Sequence, residues 1–197
     1  MAKNSLAPLL AVLEDLTTWL KAQEVPNIII GGVAASLLGR PRVTHDVDVL
    51  VLVDEEHWDD FLKAGKPFRF IPRRLDALKF AKKTRVLLVR HEPSSTEVDI
   101  VLGALPFEKE AIARSISLKL GQIALLIPQP EDLIVMKAIA NRPRDLADIE
   151  SILDAHPKLN LRKIRRLVRD FSSALEMPGI LNDLETVLAK RRKKLRH

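Results

Sequence analysis

The sequence predicts an α/β chain of α+β arrangement, a mixed sheet flanked by helices and followed by a helical subdomain. Three observations lead there. Short apolar runs rich in β-branched residues, 27–30 and 47–53, flank a Gly-Gly pair and a brief helical stretch. Two further strand-like pairs follow, at 84–90 with 96–102 and at 116–120 with 123–127. From residue 130 onward the apolar spacing is helical only.

Residues 5–22 put Leu6, Leu9, Leu10, Leu13, Leu16 and Leu20 on one helical face, with Asn4 or Ser5 as N-cap. Pro26 ends that helix before the strand 27–30. Gly31-Gly32 reads as a turn, 33–38 as a brief helix closed by Gly39, and Pro41 bars its continuation. Residues 54–63 read as a helix capped by Asp54, with acids in the first turn where the macrodipole favours them. The stretch 65–80 reads as a loop and one helical turn, its Arg69, Arg73 and Arg74 available to a substrate. Residues 91–95 join the next two strands as a hairpin, 106–114 read as a helix, and Gly121-Gln122 turns the last strand pair. Helices are expected at 130–140, 143–153, 160–175 and 180–192. The pattern changes near Pro128, which divides the chain into a domain 1–128 and a helical subdomain 129–197.

Composition narrows the class. There is no cysteine, so disulfide frameworks and thiolate metal sites are excluded. The N-terminal apolar run is broken by Glu14, Asp15 and Lys21, too short and too charged for a membrane span, and with no signal-peptide pattern a cytoplasmic setting is expected. The net charge of +6 is concentrated in the tail 190–197, a solvated end or a phosphate-backbone contact on nucleic acid. The histidines lack zinc-ligand spacing, no P-loop is present, and the absence of tyrosine leaves little for base stacking.

The chemistry concentrates in one stretch. Asp46 and Asp48 stand at i and i+2 in an apolar strand, so both point to one face while Val47, Val49 and Val51 take the other. Buried carboxylates need a partner, and hard oxygen donors suit Mg²⁺. Asp99, between Val98 and Ile100, adds a third acid on another strand. Gly31 and Gly32 leave room for a triphosphate, with backbone N–H groups of the following helix aimed at an anion. Each feature alone has a plainer explanation in a tight turn, solvated acids or an arginine pair; their conjunction in order favours chemistry.

Gly31-Gly32, thirteen residues, Asp46-Val-Asp48 and a later Val98-Asp99-Ile100 resemble the nucleotidyltransferase superfamily of DNA polymerase beta type. Arg42-Val-Thr44-His-Asp46 and Lys137 followed by Arg144-Asp145-Leu-Ala-Asp148 resemble the branch of abortive-infection and type IV toxin nucleotidyltransferases. The resemblance implies a minimal nucleotidyltransferase fold and transfer of an NMP from an NTP to an acceptor hydroxyl. Asp46, Asp48 and Asp99 would hold two Mg²⁺, with Mn²⁺ as a substitute. Nucleotide contacts would come from Gly31, Gly32, Ser36, Arg42, Thr44 and Lys137, with Arg144, Asp145 and Asp148 lining or bracing the cleft. On the residues alone Lys137 reads equally as a snorkelling surface lysine, Asp145 and Asp148 as intrahelical caps, and Ser36 as bonding its own helix. The toxin likeness and the basic balance point to tRNA or other RNA as acceptor and to a cognate antitoxin. The alternatives are an antibiotic-modifying enzyme and a non-catalytic nucleotide- or RNA-binding partner.

Overall fold

The computed structural model describes residues 6–194, so the N-cap expected at Asn4 or Ser5 and the end of the basic tail lie outside the described residues. Among the described residues the chain divides into two units, 6–33 with 43–127 and 34–42 with 128–194. No helix among them is long and apolar enough to cross a membrane.

The first unit is built on a five-stranded mixed sheet in the order β1-β2-β5-β4-β3: β1 Asn27–Ile30, β2 Asp46–Val51, β3 Phe70–Pro72, β4 Val86–His91 and β5 Glu97–Leu102. β2 and β5 run parallel and the other neighbours antiparallel. Alternation assigns the faces: Val47, Val49, Val51, Val98, Ile100, Leu102, Leu87 and Val89 are buried on one side, while Asp46, Asp48 and Asp99 belong to the other. Helix α1, Leu6–Ala22, buries Val12, Leu13, Leu16, Trp19 and Leu20. Trp19 is the anchor. Its ring stacks on Phe61 at 4.7 Å and Phe70 at 5.2 Å, and a Cβ on Gly65 would meet the indole at 2.8 Å. A second, two-stranded sheet, β6 Ile116–Leu120 and β7 Ile123–Ile127, turns at Gly121, whose φ of +63° suits glycine.

Three local expectations are revised. Helix α2 begins at Gly31 and runs to Leu38, so the glycines form its first turn. Gly31, at φ +61°, steers β1 straight into the helix with no intervening loop. Asp54 makes no side-chain cap; a 3₁₀ turn at 55–57 precedes helix α3, Trp58–Ala64, and takes up the chain's entry. The stretch 65–80 ends in the expected helical turn, the start of helix α4, Ala77–Thr84, but also contains the edge strand β3, which the prolines had hidden. Pro72 sits at the end of an edge strand, where its missing N–H costs little. Helix α5, Pro106–Ala113, has Glu108 reaching back to the N–H groups of Ala104 and Leu105 at 2.7 and 2.8 Å.

Buried His91 ties α1 to the hairpin. Its Nε2 lies 2.7 Å from Asp15 Oδ2 and its Nδ1 2.7 Å from Ser94 Oγ, with the ring against Phe70. His91→Ala would empty a fully buried site, while Asp15 keeps Arg69 and Ser94 keeps Thr96 as partners. The expected cost is about 3 kcal/mol, read as a fall in Tm of about 6–12 °C by calorimetry.

The second unit is helical: α6 Pro130–Ala140, α7 Pro143–Ala155, α8 Leu161–Ala174 and α9 Gly179–Lys194. α6 packs against α7, α8 and α9 and buries Leu133, Ile134, Val135 and Ala138. The segment 34–42 belongs here. It is moored to α7 by Arg40 on Asp154 at 2.9 Å, Ser151 Oγ on the Arg40 N–H at 2.5 Å, and His156 Nε2 on the Leu38 carbonyl at 2.8 Å.

Candidate active site

Strand register gathers the acids of the first unit. Asp48 stands directly opposite Asp99 on the parallel strands β2 and β5, and Asp46 opposite Glu97 one step along. Four carboxylates therefore share one face across a single strand pair. Glu97 escapes the sequence reading, although its signal was present: Glu97-Val-Asp99 repeats the i, i+2 spacing of Asp46-Val-Asp48. The paired repeat on adjacent parallel strands squares the cluster.

Glycine makes the approach possible. A Cβ at Gly31 would lie 1.8 Å from Asp48 Oδ2 and 2.5 Å from its Cγ, so the start of α2 sits against the carboxylate itself. Thr44 Oγ1 donates to Asp46 Oδ1 at 2.8 Å and so fixes the exposed acid's rotamer. Gly31→Ala would push the Asp48 carboxylate aside and strain the positive φ. A displacement of that size is expected to cost about 10²-fold in kcat, measurable by steady-state kinetics beside a circular dichroism spectrum that keeps its shape.

Electrostatics show what the cluster lacks. Burial pushes the Asp99 carboxyl above the ordinary aspartate range and the Asp46 and Glu97 carboxylates add to this, against the pull of the Arg73 guanidinium. Arg73, immediately after β3, bonds Glu97 through Nη1 and Asp99 through Nη2. Its role is not marked in the sequence, where it is one of three arginines in an irregular stretch. Among the described residues no three His, Cys, Asp or Glu side chains are gathered as they stand so as to hold a metal ion. The donors nevertheless fit a hard divalent cation in kind: they are all carboxylates on one face, their charges repel, and a side-chain cation already sits on two of them.

Of the other expected site residues, Ser36, Arg42, Lys137, Asp145 and Asp148 form a cluster within the second unit. Lys137 is buried, with Nζ 2.8 Å from Asp145 Oδ1 and 2.9 Å from Asp148 Oδ2. Arg42 clamps Asp148 with two bonds, 2.8 and 2.9 Å, and Arg142 reaches Asp145 at 2.6 Å. Lys137 is thus no surface lysine: two of its three donors are on carboxylates, inside the helices. Ser36 Oγ donates to the Arg42 carbonyl at 3.2 Å, not to its own helix, and Arg144 is exposed. The sequence named these residues one by one; the structure joins Ser36, Arg42, Lys137, Asp145 and Asp148 in one network.

Burial alone would raise the Asp145 and Asp148 carboxyls. Hydrogen bonds from Arg142 and Lys137 to the first, and from Arg42 and Lys137 to the second, outweigh it and hold both below the ordinary 3.8. Groups with depressed folded values stabilise the fold fully above the unfolded value and lose that contribution as pH falls through the folded one. Thermal melts are therefore expected to show a Tm that drops below pH 4, and Asp148→Asn should flatten that drop while lowering the Tm at neutral pH.

Comparisons with known proteins fit this geometry. The family model described as nucleotidyltransferase of unknown function (DUF6036) matches residues 7–185. No curated protein matches the chain. Among solved structures, the antibiotic-resistance factor ANT(2'')-Ia in solution is 16% identical, with a TM-score of 0.59 over 87% of this chain and 95% of that one. The crystal structure of ANT(2'')-Ia with adenylyl-2''-tobramycin is 17% identical, with a TM-score of 0.56 over 83% and 97%. An antigenic nucleotidyltransferase-like protein from Paracoccidioides brasiliensis is 15% identical, with a TM-score of 0.55 over 93% and 94%. At these identities the likenesses speak for the fold alone, a mixed sheet flanked by helices. With its family model spanning nearly the whole described chain, the protein belongs to the DUF6036 nucleotidyltransferase family.

Proposed function

We propose that the enzyme transfers an NMP from an NTP to a hydroxyl of an RNA, with tRNA the first candidate, using Asp46, Asp48 and Asp99 to hold two Mg²⁺ or Mn²⁺ ions. The observation that carries this reading is the register of β2 and β5, which sets Asp48 opposite Asp99 with Gly31 against the Asp48 carboxylate. Bound metal ions would neutralise the triphosphate and lower the pKa of the attacking hydroxyl. The chain's own part is positional. Thr44 fixes Asp46, Gly31 lets the Asp48 carboxylate lie against the start of α2, and backbone N–H groups at the start of α2 offer an anion site. To Lys137, Asp145 and Asp148 we assign the bracing of Arg42, four residues before Asp46 in the chain.

RNA is favoured as acceptor by α8. Lys163 and Arg165 are paired with Asp132 and Glu185, whereas Arg162, Arg166 and Arg169, at i, i+4 and i+7, are exposed and make no ion pair among the described residues. Three guanidinium groups along about 10 Å of helix suit a phosphate backbone. The toxin-like resemblance adds a cognate antitoxin as partner.

The test is to incubate the protein with each α-labelled NTP, Mg²⁺, and total tRNA, total protein or aminoglycosides in turn. Label entering RNA, and lost with EDTA, is the expected result. Label entering protein or aminoglycosides instead would overturn the RNA acceptor, and no transfer to any acceptor would overturn the proposed reaction.

A further inference from the structure

The position of Arg73 is unusual for a surface loop arginine. Its backbone N–H donates to the Leu88 carbonyl at 2.9 Å, extending the β3–β4 ladder by one residue. Leu88 stands opposite Asp99, and Asp99 opposite Asp48, so Arg73, Leu88, Asp99 and Asp48 form one row across the sheet on the acidic face. From that mooring the guanidinium crosses Leu88 and divides its two terminal nitrogens between Glu97 and Asp99. The side chain is only 18% exposed, and its Nε is buried without a hydrogen-bond partner. Such an arrangement leaves a buried donor unmet, which is costly unless the charge it brings is needed.

Neighbouring cations do not share the task. Arg74 turns away onto Asp76 and over the Phe80 ring at 4.7 Å. Arg90 is the direct cross-strand neighbour of Glu97, yet it is exposed and makes no ion pair among the described residues. Arg73 is therefore the cation that pairs with Glu97 and Asp99, held in place by backbone pairing.

We propose that Arg73 is a built-in counter-ion that holds Asp99 and Glu97 in the absence of divalent metal and must leave Asp99 for the metal to bind there. It is a positioning residue, acting through Asp99, and the inference rests on the metal site proposed above. Two cations compete for one carboxylate, so the pair lowers the site's metal affinity and prevents the acids from repelling one another when the site is empty. A guanidinium displaced from Asp99 keeps Glu97 as its partner, which returns it to Asp99 when the metal leaves.

Mn²⁺ binding, followed by electron paramagnetic resonance of the free ion, tests this on the full chain without turnover. Arg73→Gln is expected to bind Mn²⁺ about tenfold tighter than wild type, the effect of removing one charge-assisted contact from a competing ligand. Arg73→Lys should lie near wild type. Asp99→Asn in the Arg73→Gln background should abolish the gain, and the rise in Tm on adding Mn²⁺ should be larger for Arg73→Gln than for wild type. Unchanged or weaker Mn²⁺ binding by Arg73→Gln, with wild type binding normally, would overturn the counter-ion role and leave the metal site standing. No Mn²⁺ binding by wild type would remove both. Should Arg73→Gln fail to fold, the Arg73 Nε–H resonance of wild type decides: it is expected to move on Mg²⁺ titration, and an unmoved signal at saturating Mg²⁺ overturns the role.

Discussion

Asp48→Asn is expected to reduce NMP transfer by about 10³-fold or more while leaving the fold intact. Asparagine keeps the volume and one oxygen but removes the charge, and charge stabilisation at the reacting phosphate is the kind of contribution whose loss costs factors of this order. Among the acids Asp48 is the one with most structure around it: it faces Asp99 across β2–β5, faces Ile30 across β1–β2, and has Gly31 packed against its carboxylate. Removing the charge also relieves repulsion within the acidic face, so the Tm should hold or rise. Kinetics of labelled NMP transfer and a thermal melt on the same preparation give both readings. A variant that retains wild-type transfer would remove Asp48 from the reaction and, with it, the assignment of the site to this strand pair.

Residues 27–51 are the most legible part of the chain, because their chemistry is local. A β-branched strand, a glycine pair and alternating acids need only the period of a strand to be placed on a face. The α6–α9 helices were legible for the same reason, their apolar spacing and prolines marking each end within two residues. What the sequence concealed depends on pairing between distant segments. β3 has three residues and ends in proline, so no local pattern marks it, and only its ladder to β4 makes it a strand. Arg73 acquires its meaning from that ladder, which carries it to Asp99, 26 residues along the chain. The sequence leaves Lys137 open between a nucleotide contact and a snorkelling surface lysine, because a lysine between apolar neighbours looks the same whether it snorkels to water or closes a buried pair. The decision came from Asp145 and Asp148 on another helix, which bring two carboxylates to its ammonium group.

That buried lysine yields a large expected effect on stability. Lys137→Met preserves the length and apolar stem but removes a cation shared by Asp145 and Asp148, which are 1% and 5% exposed. Breaking one side of a buried ion pair costs about 3–5 kcal/mol, because a charge remains in low dielectric. Here Arg42 still holds Asp148 and Arg142 still holds Asp145, so the lower end, about 3 kcal/mol, is expected. The result is a Tm about 6–12 °C lower at neutral pH. Adding Asp145→Asn and Asp148→Asn should recover part of it, since the stranded charges are then gone. A lysine whose main work was to contact nucleotide phosphates would behave the other way: the single variant would melt like wild type and lose NTP affinity, and the two asparagines would bring no recovery. Calorimetry and NTP titration on the single and triple variants separate the two, because a brace is felt without nucleotide present and a phosphate contact is not.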